Sequence, residues 1–292
     1  MYKIVEREVL APNIIHIKIE APEIAKVAKP GQFLILRTDE KGERFPMSLA
    51  DWDREKGTVD IVFIVLGTST MKLASLKKED TILDLSGPLG NPADVKYYGN
   101  VLVACGCFGI GPSVKLAQAL KEKGNRITSV MEARNSSYLF WEERLRKVSD
   151  GFYVTVGDGS YRKRGWAEDF IAEYLSAGNK VDVIFAAGCP FMMKQCSKAS
   201  EPFGVKTNVF LTGIMVDGTG MCGACRVTVG GKTKFACVDG PMFDAHKVDW
   251  ENLATRLSSY ISEEKVSLNF WERENWHRAI DVSFDFPSSI PR

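Results

Sequence analysis

VLVACGCFGIGPSVKLAQALKEKGNRITSVM, residues 101–131, reads as strand, glycine turn, helix, strand. The short apolar run Val101–Cys105 suits a strand covered on both faces. PSVKLAQALKEKG (112–124) suits a helix, with Pro112 in its first turn and Gly124 at its end. ITSVM (127–131) is the next strand. The alternation continues with a helix around SYLFWEERLRKV, the strand FYVTV, the helix WAEDFIAEYLSAG and the strand VDVIFAA (181–187). Strands separated by helices predict a parallel sheet with crossover connections. In ACGCFGIGP (104–112), Gly106, Gly109 and Gly111 let backbone approach a phosphate at a helix N-terminus, where free N–H groups and the dipole favour an anion. A glycine turn can equally be a plain strand–helix connection. A second turn, AAGCPFMMK (186–194), also closes a strand and opens a helix. Two such turns at strand ends predict a crevice for a dinucleotide.

Upstream the pattern differs. VEREVLAPNIIHIKIEA, KPGQFLILRT, TVDIVFIVLG and DTILDLSGPLG are strand-like runs separated by turn residues, with one helix, TMKLASLKKED. This predicts an antiparallel barrel over residues 1–99. Within it, RFPMS (44–48) and LGTSTMKL (66–73) carry donors suited to a flavin: Arg44, Ser48, and the helix start at Gly67, Thr68, Ser69 and Thr70. RFPMS also reads as an ordinary barrel segment.

Composition bounds the function. The 292 residues carry a formal net charge of +1, so charge gives no case for a nucleic-acid or membrane-surface partner. MYKIVEREVLAPN lacks the apolar core of a signal peptide, and no apolar run approaches the ~20 residues of a membrane span. Seven clustered cysteines suit metal or redox use in a reducing cytoplasm.

MVDGTGMCGACRVTVGGKTKFACVDGP (215–241) holds Cys222, Cys225 and Cys237. RVTV-GG-KTKF predicts a hairpin turning at Gly230-Gly231, which pairs Cys225 with Ala236 and leaves Cys237 one residue away across the ladder. A tetrahedral metal or an iron–sulfur cluster needs four ligands. A zinc site completed by Asp217 or His246 is one reading of these residues. Cys105, Cys107, Cys189 and Cys196 read as loop or core thiols.

Together, R-F-P-M-S, the G-T-S-T helix start, the glycine turn, the A-G-C-P loop and the terminal cysteines resemble the ferredoxin–NADP reductase superfamily. More narrowly, the chain resembles the electron-transfer subunits of dihydroorotate dehydrogenase and the small subunits of NADH-dependent ferredoxin:NADP oxidoreductases. The resemblance spans residues 1 to about 264. It implies a β-barrel FAD domain (1–99), an α/β parallel-sheet nucleotide-binding domain (100–211) and a small C-terminal iron–sulfur segment (212–245); residues 246–292 read as a C-terminal helix (about 249–264) and a tail without an assigned role. It implies FAD contacts at Arg44, Pro46, Met47, Ser48, Phe63, Val65 and Gly67–Thr70. Pyridine-nucleotide contacts are implied at Gly106, Gly109, Glu132, Arg134, Asp158 and Gly188, Cys189 and Pro190.

In the dihydroorotate relatives the cluster pattern is C-x4-C-x2-C-x(n)-C, and here Asp217 stands in the first slot. Close relatives share that aspartate, so the resemblance implies a [2Fe–2S] cluster held by Asp217, Cys222, Cys225 and Cys237. Three departures stand out: Cys105 and Cys107 replace glycines of the usual turn, Thr68 stands where lysine is common, and Arg44 lies one residue further from the serine. Glu132 suits a ribose hydroxyl and NAD(H), whereas Arg134 suits the 2′-phosphate of NADP(H). The implied partner is a larger subunit with FAD and [4Fe–4S] clusters that serves ferredoxin and bifurcates electrons. Alternatives are a dihydroorotate dehydrogenase electron-transfer subunit, a paralogue with another acceptor, and a non-enzymatic redox-sensing or zinc-stabilised module.

Overall fold

The computed structural model describes residues 1–275. β1 (Tyr2–Ala11) and β2 (Ile14–Glu20) form a hairpin, followed by α1 (Pro22–Val27), β3 (Phe33–Arg37), β4 (Phe45–Asp53), β5 (Thr58–Ile64), α2 (Thr68–Ser75), β6 (Thr81–Ile82) and β7 (Asp84–Leu89). The strands run in the order β6-β1-β2-β5-β4-β3-β7. The two end strands are consecutive in sequence, so the sheet curls into a nearly closed barrel. Alternate residues of β2 set its two faces. Ile15, Ile17 and Ile19 join Leu34, Leu36, Leu49, Ile61 and Phe63 in the barrel core. Ile14, with Ala50 and Val62, packs instead on the second sheet.

β4 changes partner midway. Phe45–Ser48 pair with β3, and Leu49–Asp53 pair with β5. Beyond Leu49↔Ile61, residues 62–64 keep β2 as their strand partner. Their other backbone edge faces the gap beside Pro46–Ser48.

The second sheet contains β8 (Asn100–Gly106), β9 (Arg126–Ala133), β10 (Gly151–Val156), β11 (Lys163–Arg164), β12 (Val183–Ala187), β13 (Thr207–Phe210) and, from the cysteine segment, β16 (Met242–Asp244). The helices are α3 (Ile110–Glu122), α4 (Glu142–Lys147), α5 (Ala167–Ser176) and α6 (Pro190–Ser200). The order β11-β10-β9-β8-β12-β13-β16 is parallel except for β16. The chain runs outward from β8 through β9 and then returns to β12 on its other side. The switch point therefore lies between β8 and β12, where a ligand crevice forms beyond the strand ends.

The long helix expected around SYLFWEERLRKV is shorter. Ser136–Tyr138 form a single 3-10 turn and only Glu142–Lys147 are α-helical. Trp141 breaks the run at φ 52, and its ring packs edge-on to His16 of the barrel at 5.3 Å. Tertiary packing thus overrides local helix propensity.

After a loop, β14 (Arg226–Val229) and β15 (Lys232–Phe235) form a hairpin in the expected register, with Arg226 opposite Phe235. Cys225, Val227, Ala236 and Cys237 share one core with Leu102 and Ile184 of the parallel sheet and Met193 of α6. Instead of one helix over 249–264 there are two, α7 (Trp250–Leu257) and α8 (Ile261–Asn275). At the break, the Ser258 hydroxyl donates to the carbonyls of Ala254 and Thr255, competing with the backbone for the last turn. Residues 265–275, which the sequence left without a place, continue α8. Leu268 and Trp271 pack on the barrel core, and the Ser267 and Thr68 hydroxyls lie 2.9 Å apart. The rest of the tail, with Trp276, falls outside the described residues. No described helix is long and apolar enough to cross a membrane.

Candidate functional site

The two glycine turns meet at the switch point. β8 ends at Gly106, Cys107 turns the chain at φ 51, and α3 starts at Ile110. Gly109 sits so tightly on the other loop that an added Cβ would lie 2.2 Å from the Ala187 carbonyl oxygen. At Gly188 an added Cβ would meet Met192 Sδ at 2.4 Å and the Gly106 oxygen at 3.2 Å. The loops thus interlock backbone to backbone. The start of α3 lies at their edge. Cys189 caps α6, its Sγ accepting from Met192 N–H at 3.4 Å, and Pro190 follows.

Glu132, next to last in β9, lies directly beside Gly106 in the strand register. It is 8% exposed, and its Oε2 accepts from Ala167 N–H at 2.8 Å. Burial pushes its carboxyl up to about 7; the Ala167 hydrogen bond opposes this, while Glu168 and Asp169 add to it. Arg134 donates to the Tyr138 hydroxyl at 2.9 Å and lies over that ring. Asp158 accepts from Ser160 N–H at 2.9 Å, and its own N–H bonds the Arg134 carbonyl. Glu132 therefore sits in the floor under the Gly106 turn, whereas Arg134 and Asp158 sit together on the exposed rim.

On the barrel, Pro46, Met47 and Ser48 are half-buried on β4. Arg44 precedes them; one Nη donates to Ser86 Oγ at 3.3 Å and the other lies 3.8 Å from Asp84. Phe63 and Val65 are 2% and 1% exposed, so their side chains belong to the core and their backbone borders the gap. At the start of α2, Gly67 has open space where a Cβ would stand. Thr70 Oγ1 accepts from the N–H groups of Leu66 and Gly67, and Ser69 Oγ donates to Glu43 at 2.7 Å. Sequence reasoning missed Glu43, Ser86 and Ser267. Ser267 lies 199 residues from Thr68, beyond the reach of any local pattern.

The cysteine loop runs between the barrel and the sheet. Gly218 and Gly220 adopt φ 75 and 87, values that favour glycine. An added Cβ at Gly218 would lie 2.6 Å from Leu89 and 2.9 Å from Ile35 of the barrel. Asn91 further ties the segment down, donating through its side chain to Val238 O at 2.9 Å and through its N–H to Gly240 O at 2.7 Å. Cys225 and Cys237 have sulfurs 3.2 Å apart. Deprotonated, a pair this close could ligate one metal ion. Asp217 accepts from the N–H groups of Thr219 at 2.8 Å and Cys222 at 2.7 Å, and these donors hold its carboxyl below the usual range.

Cys225 and Cys237 thus present their sulfurs side by side, and Asp217 lies against the Cys222 backbone. One zinc would gather all four at roughly 4 Å from one another. The only three-donor group within 4.8 Å among the described residues is Glu6, Glu8 and His16, away from this loop. His246, the other candidate zinc ligand, has its Nε2 3.0 Å from Ser200 Oγ and 3.2 Å from Ser197 O, on α6. Cys105 and Cys196 are buried core thiols, Cys107 is partly covered and Cys189 is exposed.

A nearly closed barrel, a parallel sheet with paired turns at its switch point, and a cysteine loop packed against both define a ferredoxin-reductase-like electron-transfer protein. The chain belongs to the family of dihydroorotate dehydrogenase B electron-transfer subunits and their homologues. Its relative in Thermotoga maritima, described as a homologue of that subunit, is 45% identical over 265 residues, covering 91% of this chain and 93% of the relative. An uncharacterised Clostridium beijerinckii protein encoded in the adh 3′ region is 43% identical, covering 95% and 96%. A solved chain from the study of flavin-based electron bifurcation by NADH-dependent reduced ferredoxin-NADP oxidoreductase superposes with a TM-score of 0.87 at 42% identity, covering 93% of this chain and 98% of that one. The Neisseria gonorrhoeae ferredoxin NADP+ reductase, at 18% identity and a TM-score of 0.59, shares the fold. Residues 212–249 match the family model described as the iron-sulfur cluster binding domain of dihydroorotate dehydrogenase B.

Proposed function

We propose that this chain is the electron-transfer subunit of a heteromeric, flavin-bifurcating ferredoxin:NADP oxidoreductase, and that it binds NAD(H), FAD and a [2Fe–2S] cluster. The observation that carries this is the meeting of the sites. Gly218 of the cysteine loop packs on Ile35, and Ile35 pairs in β3 with Pro46 of the candidate flavin strand. The candidate flavin and iron sites thus lie on neighbouring, paired strands. When bound, FAD exchanges hydride with nicotinamide and single electrons with iron–sulfur centres.

In this reading residues 1–99 hold the flavin. Ser48 and the backbone of Phe63–Val65 border its ring, and Arg44 with Gly67–Thr70 binds its diphosphate. Residues 100–211 hold the pyridine nucleotide, with Gly106, Gly109 and the Gly188–Pro190 loop around its diphosphate. Arg134 and Asp158 lie on its rim. Asp217, Cys222, Cys225 and Cys237 in residues 212–245 hold the iron. The partner is a larger subunit with FAD and [4Fe–4S] clusters, through which ferredoxin is reached. The setting is cytoplasmic, in keeping with seven unbridged cysteines.

Iron, acid-labile sulfide, zinc and flavin content of the anaerobically purified chain test the reading. Two irons and two sulfides per FAD are expected. Zinc without sulfide refutes the cluster. A second reading, the electron-transfer subunit of a dihydroorotate dehydrogenase, draws on the names of relatives such as that of Listeria innocua at 31% identity. Dihydroorotate-dependent reduction of NAD by the native complex would favour it; ferredoxin- and NADPH-dependent reduction favours the first.

A further inference from the structure

Three features stand outside the function so far: the exposed apolar side of α8, the thiols at the nucleotide turns, and the carboxyl under them. Val266 and Phe270 of α8 are 54% and 60% exposed, but nothing in the structure says what covers them. Cys107 faces Cys189 across the turns, yet burial pushes the Cys107 thiol up and away from reactivity. The carboxyl of Glu132 carries an argument.

Glu132 lies at the carboxyl end of β9, under the Gly106 turn. A Cβ on Gly106 would stand 2.7 Å from Glu132 Cγ and 3.2 Å from Oε1, so the missing side chain is what makes room for this carboxyl. Its Oε2 is occupied by the Ala167 N–H, whereas Oε1 has no hydrogen-bond donor among the described residues. Its partner across the register in β10 is Thr155, which is 1% exposed and whose hydroxyl also lacks a partner. Glu132 Oε1 is not sealed from solvent, so a proton can reach it.

The titratable groups that face Glu132 are Glu168 and Asp169 from α5, Cys105 and Cys107 from β8 and its turn, and Cys189 and Cys196 from α6 and its cap. None of these is a cation. A carboxylate here has the α5 N-terminus as its one compensation.

We infer that Glu132 couples pyridine-nucleotide binding to proton uptake: the arriving diphosphate, held on the turn directly above, drives a proton from solvent onto Oε1. This deepens the proposed function and rests on its assignment of the crevice as the nucleotide site. The physical reason is that like charges brought close in a poorly solvated place cannot both persist. The diphosphate cannot shed its charge near neutral pH, so the carboxylate is neutralised. The proton enters from the buffer and returns to it when the nucleotide leaves; no bond other than O–H is made or broken. Below the ionisation of Glu132 the carboxyl is already neutral and binding takes up nothing. Above it, each nucleotide bound carries one proton in, and affinity falls up to tenfold per pH unit.

The test is calorimetric titration of the full-length holoprotein with NAD+, between about pH 5.5 and 8.5, in pairs of buffers with different ionisation heats. NAD+ is the probe because the 2′-phosphate of NADP+ itself titrates in this range, as phosphate monoesters do. The expected result is up to one proton taken up per nucleotide above about pH 7, with a falling affinity. Glu132→Gln keeps the size and an acceptor for Ala167 N–H; it should abolish the uptake and flatten the profile while retaining FAD. Binding of NAD+ without buffer-dependent heat overturns the inference and leaves the crevice assignment standing. Uptake that survives Glu132→Gln overturns it too. A holoprotein that binds no NAD+ at any pH overturns both. If the variant folds poorly, the nucleotide-induced rise of a protonated-carboxyl infrared band in the wild-type protein decides the matter; its absence refutes the inference.

Discussion

Gly109→Ala tests the interlocked turns most directly. Gly109 has φ −69 and ψ −15, a conformation open to any L-residue, so backbone strain cannot be the cost. Space is the cost. The added methyl would lie 2.2 Å from Ala187 O, 2.4 Å from Ala187 C and 2.6 Å from Gly188 N, all backbone atoms. Restoring ordinary contact means parting the turns by about 1 Å. That shift falls immediately beyond the last paired residues of β8 and β12, Cys105 and Ala187, which resist it. Overpacking costs about 1–3 kcal/mol, and contact with backbone on both sides puts this case near the upper end. At roughly 2–4 °C per kcal/mol, the melting temperature should fall by about 6–12 °C. Gly111→Ala is the matched control. Its Cβ would meet side-chain atoms of Ala50 and Val62 at 3.0 and 3.2 Å, and the improved helix propensity, up to about 1 kcal/mol, offsets the crowding. Scanning calorimetry of both variants with FAD bound, followed by NAD+ titration, reads the difference. A Gly109→Ala protein that melts with the wild type, or a Gly111→Ala protein equally damaged, would refute the steric account.

Two further outcomes follow from the site. Burial raises Glu132 from 4.5 to about 7, so between those values the native carboxyl is protonated while the unfolded one is ionised. Raising the pH through that window therefore costs stability, and the loss persists above it. Glu132→Gln lacks this cost and should be more stable than wild type by up to about 3 kcal/mol at pH 8, with the gap closing toward pH 4.5; denaturant melts in which the gap does not grow with pH would contradict this. Asp217→Cys should still assemble a cluster but change its EPR signal, since thiolate is a softer ligand than carboxylate; an unchanged signal removes Asp217 from the ligand set.

The legible parts of the chain were those written in local pattern. Val101–Cys105 followed by a glycine turn and a Pro-led helix names a βαβ unit without tertiary knowledge. Gly230-Gly231 fixed the hairpin register and, through it, brought Cys225 beside Cys237. Illegible parts were decided at a distance. Trp141 leaves its expected helix because His16, on another sheet, takes its ring. The split at Ser258 comes from hydroxyls turned back on the preceding carbonyls, where propensity alone continues a helix. The sequence places Glu132 near a strand end and does not say what covers it; the N-terminus of α5 does.

The merging of the cysteine segment into the parallel sheet bears on how the chain can be cut. Residues 212–249 match a family model of their own, which invites treating them as a detachable module. Their apolar residues, Val227, Ala236, Phe243 and Val248, instead complete a core begun by Leu102 and Ile184, and β16 closes the sheet edge at β13. Excised, the segment would keep a two-stranded hairpin, too little to stand alone in water. Limited proteolysis should therefore release no compact fragment bounded near residue 212, and grafting the motif onto another reductase would require carrying over the sheet edge that receives it.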